Sequence, residues 1–563
     1  MLTLNPGFVL IAAAMVLLAA PRGLRVPTMA GAAVIALWLM LAREFGAADT
    51  VAQMGLPVVL LNLDPLNRIF GIAMLIATVL IALYSGSRRN RFEDSAILLL
   101  AGGAVSALFV GDLVSFVAAA ELAALAMAGV VFASSADGAG ASGVRMLVWF
   151  GLEGLLFLVG AALHLSSERG NSVLTRLDVT QIGDAFVLAA LLIRVGAPLA
   201  HVWFKDAVRH ASSVGAPALS AFSITLGVYA LARLFPAEPI LIYAGVAMAA
   251  IGLVYAVAED DLRAAAAAGM SALAGVCVAL IGVGSPLALA AAAAHAFAAT
   301  FTFVALQMAL GAIVERRGGA RLSAMAGLTR TMPVTMALVV FCGLAAAAAP
   351  GTALFATLAV ALDALARPET SWIWLAVLAI APALLVTFAL RPAFAAAAEG
   401  TVRKIHEAPF SMLLGAAVAS FFCISTGVAP GWLYGFLPSE MSYQPLSLSH
   451  LALQFEALGA VGIAYAIVWA LGLTPRERAL RLWDVDAFYR GPLASLARWV
   501  GIIMLRLYGS AQEGVARLQS AGGGVISALV RRLDRPYAPN AFAWGPFALV
   551  SVALLVVLLF RGV

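Results

Sequence analysis

The sequence predicts an all-α polytopic membrane protein with about sixteen transmembrane helices. Three observations lead there. Of 563 residues, 63% are hydrophobic and 11% charged, whereas an ordinary soluble domain carries about 25% charged residues. Apolar runs of about 18 residues or more recur from end to end, each long enough to cross a bilayer. Hydrocarbon offers no partner for backbone polar groups, so these runs are expected as helices rather than open sheet.

Residues 1–94 hold three spans, at 7–20, 25–42 and 66–86. The first has no basic residue ahead of its apolar core, unlike a signal peptide, and reads as a membrane helix that is kept. Residues 95–235 hold five spans, at 95–111, 113–133, 144–165, 182–199 and 214–234. Residues 236–400 hold five more, at 238–257, 265–283, 286–313, 332–361 and 373–394. Two follow in 401–473, at 409–430 and 448–472, and a last one at 541–561 lies in 541–563. Between them, 474–540 is rich in arginine yet carries Leu493, Leu496, Val500, Ile503 and Leu507 at helical spacing. That pattern suits an amphipathic helix lying on the cytoplasmic side of the membrane, broken by Gly522, Gly523 and Gly524. A solvated basic tail, or a segment at 493–509 that dips into the bilayer, are the alternatives.

The formal charge of +5 sits mostly in loops, which points away from nucleic acid. Odd-numbered loops hold Arg22, Arg25, Arg88, Arg89, Arg91, Arg145, Lys205, Arg209, Arg263, Arg316, Arg317, Arg321, Arg330, Arg391, Arg403 and Lys404. Even loops hold few basic residues, among them Arg43, Arg68, Arg169 and Arg176. The positive-inside rule then puts odd loops in the cytoplasm and both termini outside, which in a bacterium means the periplasmic face of the inner membrane.

Several motifs lead nowhere. Cys277, Cys342 and Cys423 lie in apolar stretches without CxxC spacing and read as small buried hydrophobes. GAGASG at 138–143 matches GxGxxG but lies between membrane spans, outside any βαβ unit. The sequence shows no P-loop, no HExxH and no metal-ligand cluster, and no cofactor is expected.

Ionisable residues inside membrane spans are costly and therefore candidates for function. Glu121 lies in the fifth span and Arg194 in the seventh. Opposite charges on two spans predict a buried pair, either a static ion pair or part of a transport path. Glu153 lies in the sixth span and His295 in the eleventh, whose alanine-rich helix leaves room for water. Asp363 and Glu456 fall nearer span ends, where side chains snorkel to the interface. Pro198, Pro217 and Pro350 interrupt apolar spans and predict broken or kinked helices.

Several stretches, in order, resemble one family: the antiporter-like subunits shared by Mrp cation/proton antiporters, respiratory complex I and membrane-bound hydrogenases. LNLDPLNRIFG from residue 61 resembles the approach to the family's third helix. DLVSFVAAAE, with Asp112 nine residues ahead of Glu121, resembles its fifth. RVGAPLAHVWFKDA, with His201, Trp203, Asp206 and Ala207, resembles its seventh. TLGVYALAR, DDLRAAAAAGMSALAG, HAFAATFTF and GLTRTMP follow in the family's order, and DVDAFYR at 484–490 resembles a motif of D-type Mrp subunits. The resemblance covers about residues 60 to 490. It implies two five-helix repeats of inverted topology, at 95–235 and 236–400, each with a broken helix, the seventh and twelfth spans. It also implies ion-translocation roles for Glu121, Arg194, His295, His201 and Asp206; Glu153 joins them as an ionisable residue inside a span.

The departures are as informative. The chain has two lysines, Lys205 and Lys404, both in loops. The resemblance puts Arg194, Thr225, Ala299 and Leu358 where the family carries lysines. A buried lysine can give up its proton, whereas arginine effectively cannot. The expected function is a membrane subunit of a Mrp-like or complex-I-like assembly that moves protons, Na⁺ or K⁺, with other membrane subunits as partners and no catalysis by this chain alone. A non-conducting structural paralogue, or a membrane partner in an inorganic-carbon uptake, NADH:quinone oxidoreductase-type or hydrogenase complex, remains open.

Overall fold

A computed structural model describes residues 4–473 apart from 54–55, 88–89, 168–169, 400–404 and 439–442, together with the isolated positions 495 and 499. The arginine-rich segment, the DVDAFYR motif and the last expected span lie outside the described residues.

The chain opens with α1 (Pro6–Ala19) and α2 (Arg25–Leu41), then forms a hairpin of β1 (Gly46–Gln53) and β2 (Leu56–Leu63). The helices α3 (Pro65–Tyr84), α4 (Arg91–Phe109), α5 (Leu113–Phe132) and α6 (Ala139–Ser166) follow, then α7 (Ile182–Arg194) and α8 (Val202–His210). Next come α9 (Gly215–Leu234), α10 (Ile240–Ala258), α11 (Leu262–Val283), α12 (Pro286–Arg317) and the one-turn α13 (Leu328–Thr331). The remainder is α14 (Pro333–Ala346), α15 (Ala353–Ala364), α16 (Ser371–Leu378), α17 (Ile380–Leu385), α18 (Arg391–Ala397), α19 (Phe410–Val428), the one-turn α20 (Gly431–Tyr434) and α21 (Leu448–Ala470). A π-helical turn, Val386–Leu390, joins α17 to α18. Among the described residues twelve helices are long and apolar enough to cross a membrane. The protein is a polytopic all-α membrane protein.

The hairpin fills the stretch between the second and third expected spans. LPVVLLNL pairs antiparallel with the preceding strand, Leu56 opposite Gln53 and Leu63 opposite Gly46. Val59, Leu61 and Leu63 are buried at alternate positions, the period of a strand. Buried Asp112 ties the hairpin to the helices: one carboxylate oxygen accepts from Val59 N at 2.8 Å and the other caps α5 through Ser115 N at 2.8 Å.

Two sets of loops gather at opposite ends of the helices. At one end Asn90 donates to the Ala133 carbonyl, Arg145 pairs with Asp206, Arg209 with Glu259, and Ser323 with Asp260. At the other, Asp112 bridges to Val173, Ser172 donates to the Pro57 carbonyl, and Arg233 pairs with Asp64. The first set contains the odd-numbered loops and the second the even-numbered ones. The centre is formed by α9, α11 and α12, which are almost wholly buried. Their alanine- and glycine-rich faces allow close packing, the usual means of helix association in a bilayer.

Candidate functional site

Two interrupted helices frame the candidate site. At the end of α7, Gly196 N donates to Ile193 O at 3.0 Å and Ala197 N to Leu192 O at 2.9 Å. At the end of α14, Ala348 N donates to Ala345 O and Ala349 N to Leu344 O, both at 3.0 Å. These are the same offsets, the crossed pair of a Schellman C-cap, and in each the C′ residue is left-handed: Gly196 at φ 71° and Ala348 at φ 53°. Pro198 and Pro350 stand two residues beyond and stop the helix. Counted from the breaks, Ala346 is the position equivalent to Arg194. Carbonyls at each break take side-chain donors: Trp203 Nε1 reaches Ile193 O at 2.9 Å, and Gln454 Nε2 reaches Ala347 O at 3.0 Å and Ala348 O at 2.9 Å.

Arg194, the last residue of α7, is fully buried. Its Nε donates to Glu153 Oε1 at 2.5 Å, its Nη2 donates to the Ala120 carbonyl at 3.3 Å, and the same Nη2 lies 3.8 Å from Glu121 Oε1. Glu153 is also fully buried, while the Glu121 side chain is 31% exposed. The sequence singled out Glu121 and Arg194 as the pair. The structure brings them together but makes Glu153 the tighter partner. Glu153 sits in mid-helix on α6, where no snorkelling reaches water. Gly154 makes the arrangement possible: a Cβ there would lie 2.6 Å from Glu121 Oε2. Glu121 Oε1, Glu153 Oε2 and Arg194 Nη1 have no hydrogen-bond partner among the described residues. Two carboxylates thus face one guanidinium, and a single proton shared between the acids makes the cluster neutral.

The second break holds a different environment. His295 Nδ1 lies 3.0 Å from Thr357 Oγ1. The threonine hydroxyl also points at the Ala353 and Leu354 carbonyls. If it donates there, Nδ1 carries the imidazole proton and Nε2 is a bare acceptor. Nε2 has no partner among the described residues. The histidine lines a small cavity with Ala346, Ala348, Leu358, Leu273 and Ile380, with room for roughly one water. Both Leu358 and Ala346 face this cavity and are apolar. Between the two breaks, Thr225 of α9 and Thr300 of α12 meet at 3.1 Å. Thr300 donates to the Ala296 carbonyl, so Thr225 is the donor to Thr300. Ala299 is buried beside that pair.

Three other expected groups lie elsewhere. Asp206 on α8 is held at the odd-loop end by Arg145, through contacts of 2.8 and 2.9 Å, and by Ser142 Oγ at 2.8 Å. The His201 ring packs on Tyr255 at 5.3 Å, and Lys205 Nζ lies 4.0 Å over the same ring. Asp363 and His450 meet at the other end of the molecule, with Tyr443 Oη donating to Asp363 Oδ2 at 2.6 Å. Burial, together with the Asp363 carboxylate, pushes the Tyr443 phenol up from its ordinary value, so it remains a donor. Sequence reasoning missed Gln454 and the Thr225–Thr300 and His295–Thr357 contacts. The signal for Gln454 was an amide in an apolar span. Hydroxyls in apolar helices are too common to be one.

The fold and site define a class: polytopic helical membrane proteins with helices broken in mid-membrane around buried ionisable groups. Residues 110–384 match the family described as NADH:quinone oxidoreductase/Mrp antiporter, transmembrane. That match covers just under half of the chain and supports its likeness to the antiporter-like membrane subunits of that family. A NAD(P)H-quinone oxidoreductase chain 4 of Synechococcus elongatus is 26% identical over 226 residues, 37% of this chain and 42% of that one. A probable K⁺/H⁺ antiporter component of Rhizobium meliloti is 24% identical over 327 residues, 54% of this chain and 32% of that one. The chain therefore spans less than half the length of either relative. Among solved structures, the Mrp complex of a Dietzia species matches with a TM-score of 0.74 at 20% identity, over 98% of this chain and 65% of that one. An archaeal membrane-bound sulfane sulfur reductase matches at 0.69 and 17% identity, over 98% and 99%. Respiratory complex I of Thermus thermophilus matches at 0.64 and 20% identity, over 81% and 99%. These likenesses show the fold.

Proposed function

We propose that the chain is a membrane subunit of a multi-subunit Mrp-like or complex-I-like assembly that moves protons, Na⁺ or K⁺. In this reading it sits in the bacterial inner membrane with the odd loops cytoplasmic. The supporting observation is the buried Glu121–Arg194–Glu153 cluster at the interrupted α7. Intramembrane ionisable groups with unfilled hydrogen-bonding capacity mark ion and proton paths in such proteins. An arginine effectively cannot release a proton, so the exchangeable site is the carboxylate pair: Glu121 lies 31% exposed at the surface of the chain, and Glu153, fully buried, is held by Arg194.

A second reading, that the chain is a scaffold that conducts little, is favoured by the second break. There Ala346 and Leu358 surround a single histidine, and the Thr225–Thr300 pair offers hydroxyls without a titratable group. The two readings separate when the chain is reconstituted with its partner subunits and proton flux is measured. Translocation through the cluster predicts that Glu121→Gln lowers flux by about tenfold or more, as expected when an essential proton carrier is lost. Unchanged flux rejects it in favour of the scaffold.

A further inference from the structure

α21 is long and apolar enough to cross a membrane, yet Gln454 is its one buried residue. The hydrogen bonds of Gln454 to Ala347 and Ala348 fix its depth at the break between α14 and α15, inside the bilayer. Glu456 lies two residues further on. It is exposed, and among the described residues it has no hydrogen-bond or ion-pair partner. Eight residues separate it from the first residue of α21, about 12 Å along the axis, so the snorkelling expected of a residue near a span end is beyond the reach of its short side chain. Ala452, Gly459, Ala460 and Ile463 share its face by helical spacing and are exposed. A Cβ added at Gly459 would meet nothing within 4 Å. A carboxylate facing acyl chains is costly, and lipid tails offer no donor.

We propose that this face of α21 docks against a transmembrane helix of a neighbouring subunit that presents an arginine or lysine to Glu456. Gly459 and Ala460 would let the two backbones approach closely. Charge chooses this occupant. A second copy packed symmetrically would set Glu456 against its own like charge. The chain's own last apolar stretch, 541–561, has a single basic residue, Arg561, at its end.

The proposal rests on the chain being one subunit of an assembly, not on its moving ions; a loss of flux with docking intact leaves it standing. A photo-reactive amino acid in place of Ala460, in the assembled complex in its native membrane, should cross-link to one membrane helix of another subunit that carries an arginine or lysine. Glu456→Arg should lower the amount of assembled complex by about tenfold, and glutamate in place of the partner's basic residue should restore it, as paired charges do. Cross-links confined to lipid, to a second copy or to residues 474–563 would overturn the proposal. So would failure of the charge exchange to restore assembly.

Discussion

Arg194 can neutralise only one of the two carboxylates within its reach, and the distances say which. Glu153 is fully buried at 2.5 Å; Glu121 is 31% exposed at 3.8 Å. Removing Glu153 leaves a guanidinium without its close partner in the interior, a loss of about 3–5 kcal/mol. Glu121 is held more loosely, so its loss should cost less than that of Glu153. Glu153→Leu should therefore lower the thermal unfolding temperature in detergent well below that of Glu121→Leu, and adding Arg194→Met to Glu153→Leu should recover most of the loss. Equal effects of the two single variants would refute the ranking. The residues of this cluster were legible because charge in an apolar run has few innocent explanations. Their ranking was not, since which helix faces which, and the space left by Gly154, are tertiary facts.

The broken helices show what a sequence tells about an element and what it hides. Pro198 and Pro350 announced both interruptions. The shared hydrogen-bond offsets did not show, because one break reads RVGAP and the other AAAAP. The left-handed position holds glycine in the first and alanine in the second, so the second is strained. Placing an L-residue there costs about 1–2 kcal/mol. Ala348→Gly should accordingly raise stability, and Gly196→Ala lower it, by about 1 kcal/mol each in chemical denaturation. Opposite signs would mean that neighbours, not backbone, control the breaks. Gln454→Leu should cost about 1–3 kcal/mol by leaving the Ala347 and Ala348 carbonyls without their donor. The hairpin at 46–63 escaped sequence reading for another reason: a short apolar run looks alike as buried strand or helix.

At the scale of the whole molecule, loop parity did more than any motif. Loops grouped by charge in the sequence are grouped in space by the ion pairs at each end. The chain enters α7 from the even-loop end and α14 from the odd-loop end, so it crosses the two breaks in opposite directions. That supports the inverted repeats implied by the family resemblance. Sidedness itself is open to test by labelling in intact cells. Cysteine in place of Arg317 should react only after the membrane is opened, and cysteine in place of Arg367 should react from outside. The reverse pattern would invert the topology.

Transport competence also belongs to this scale, because a path must cross the whole membrane. The half from about 236 to 400 is expected to conduct protons poorly. A relay needs titratable groups close enough for water to link them. Here His295 has Thr357 on one side and a cavity with room for roughly one water on the other. The walls of that cavity include Ala346, Leu358 and Ile380. A histidine with one free nitrogen can take up a proton but has no neighbour to receive it. Thr225 and Thr300 can orient water, yet neither changes charge. In the reconstituted complex, His295→Ala should therefore remove what little flux this half carries, while Ala299→Lys, next to Thr300, should raise it by supplying a buried group able to release a proton. If robust flux persisted in His295→Ala and Ala299→Lys left it unchanged, protons would be crossing by a route that avoids α12.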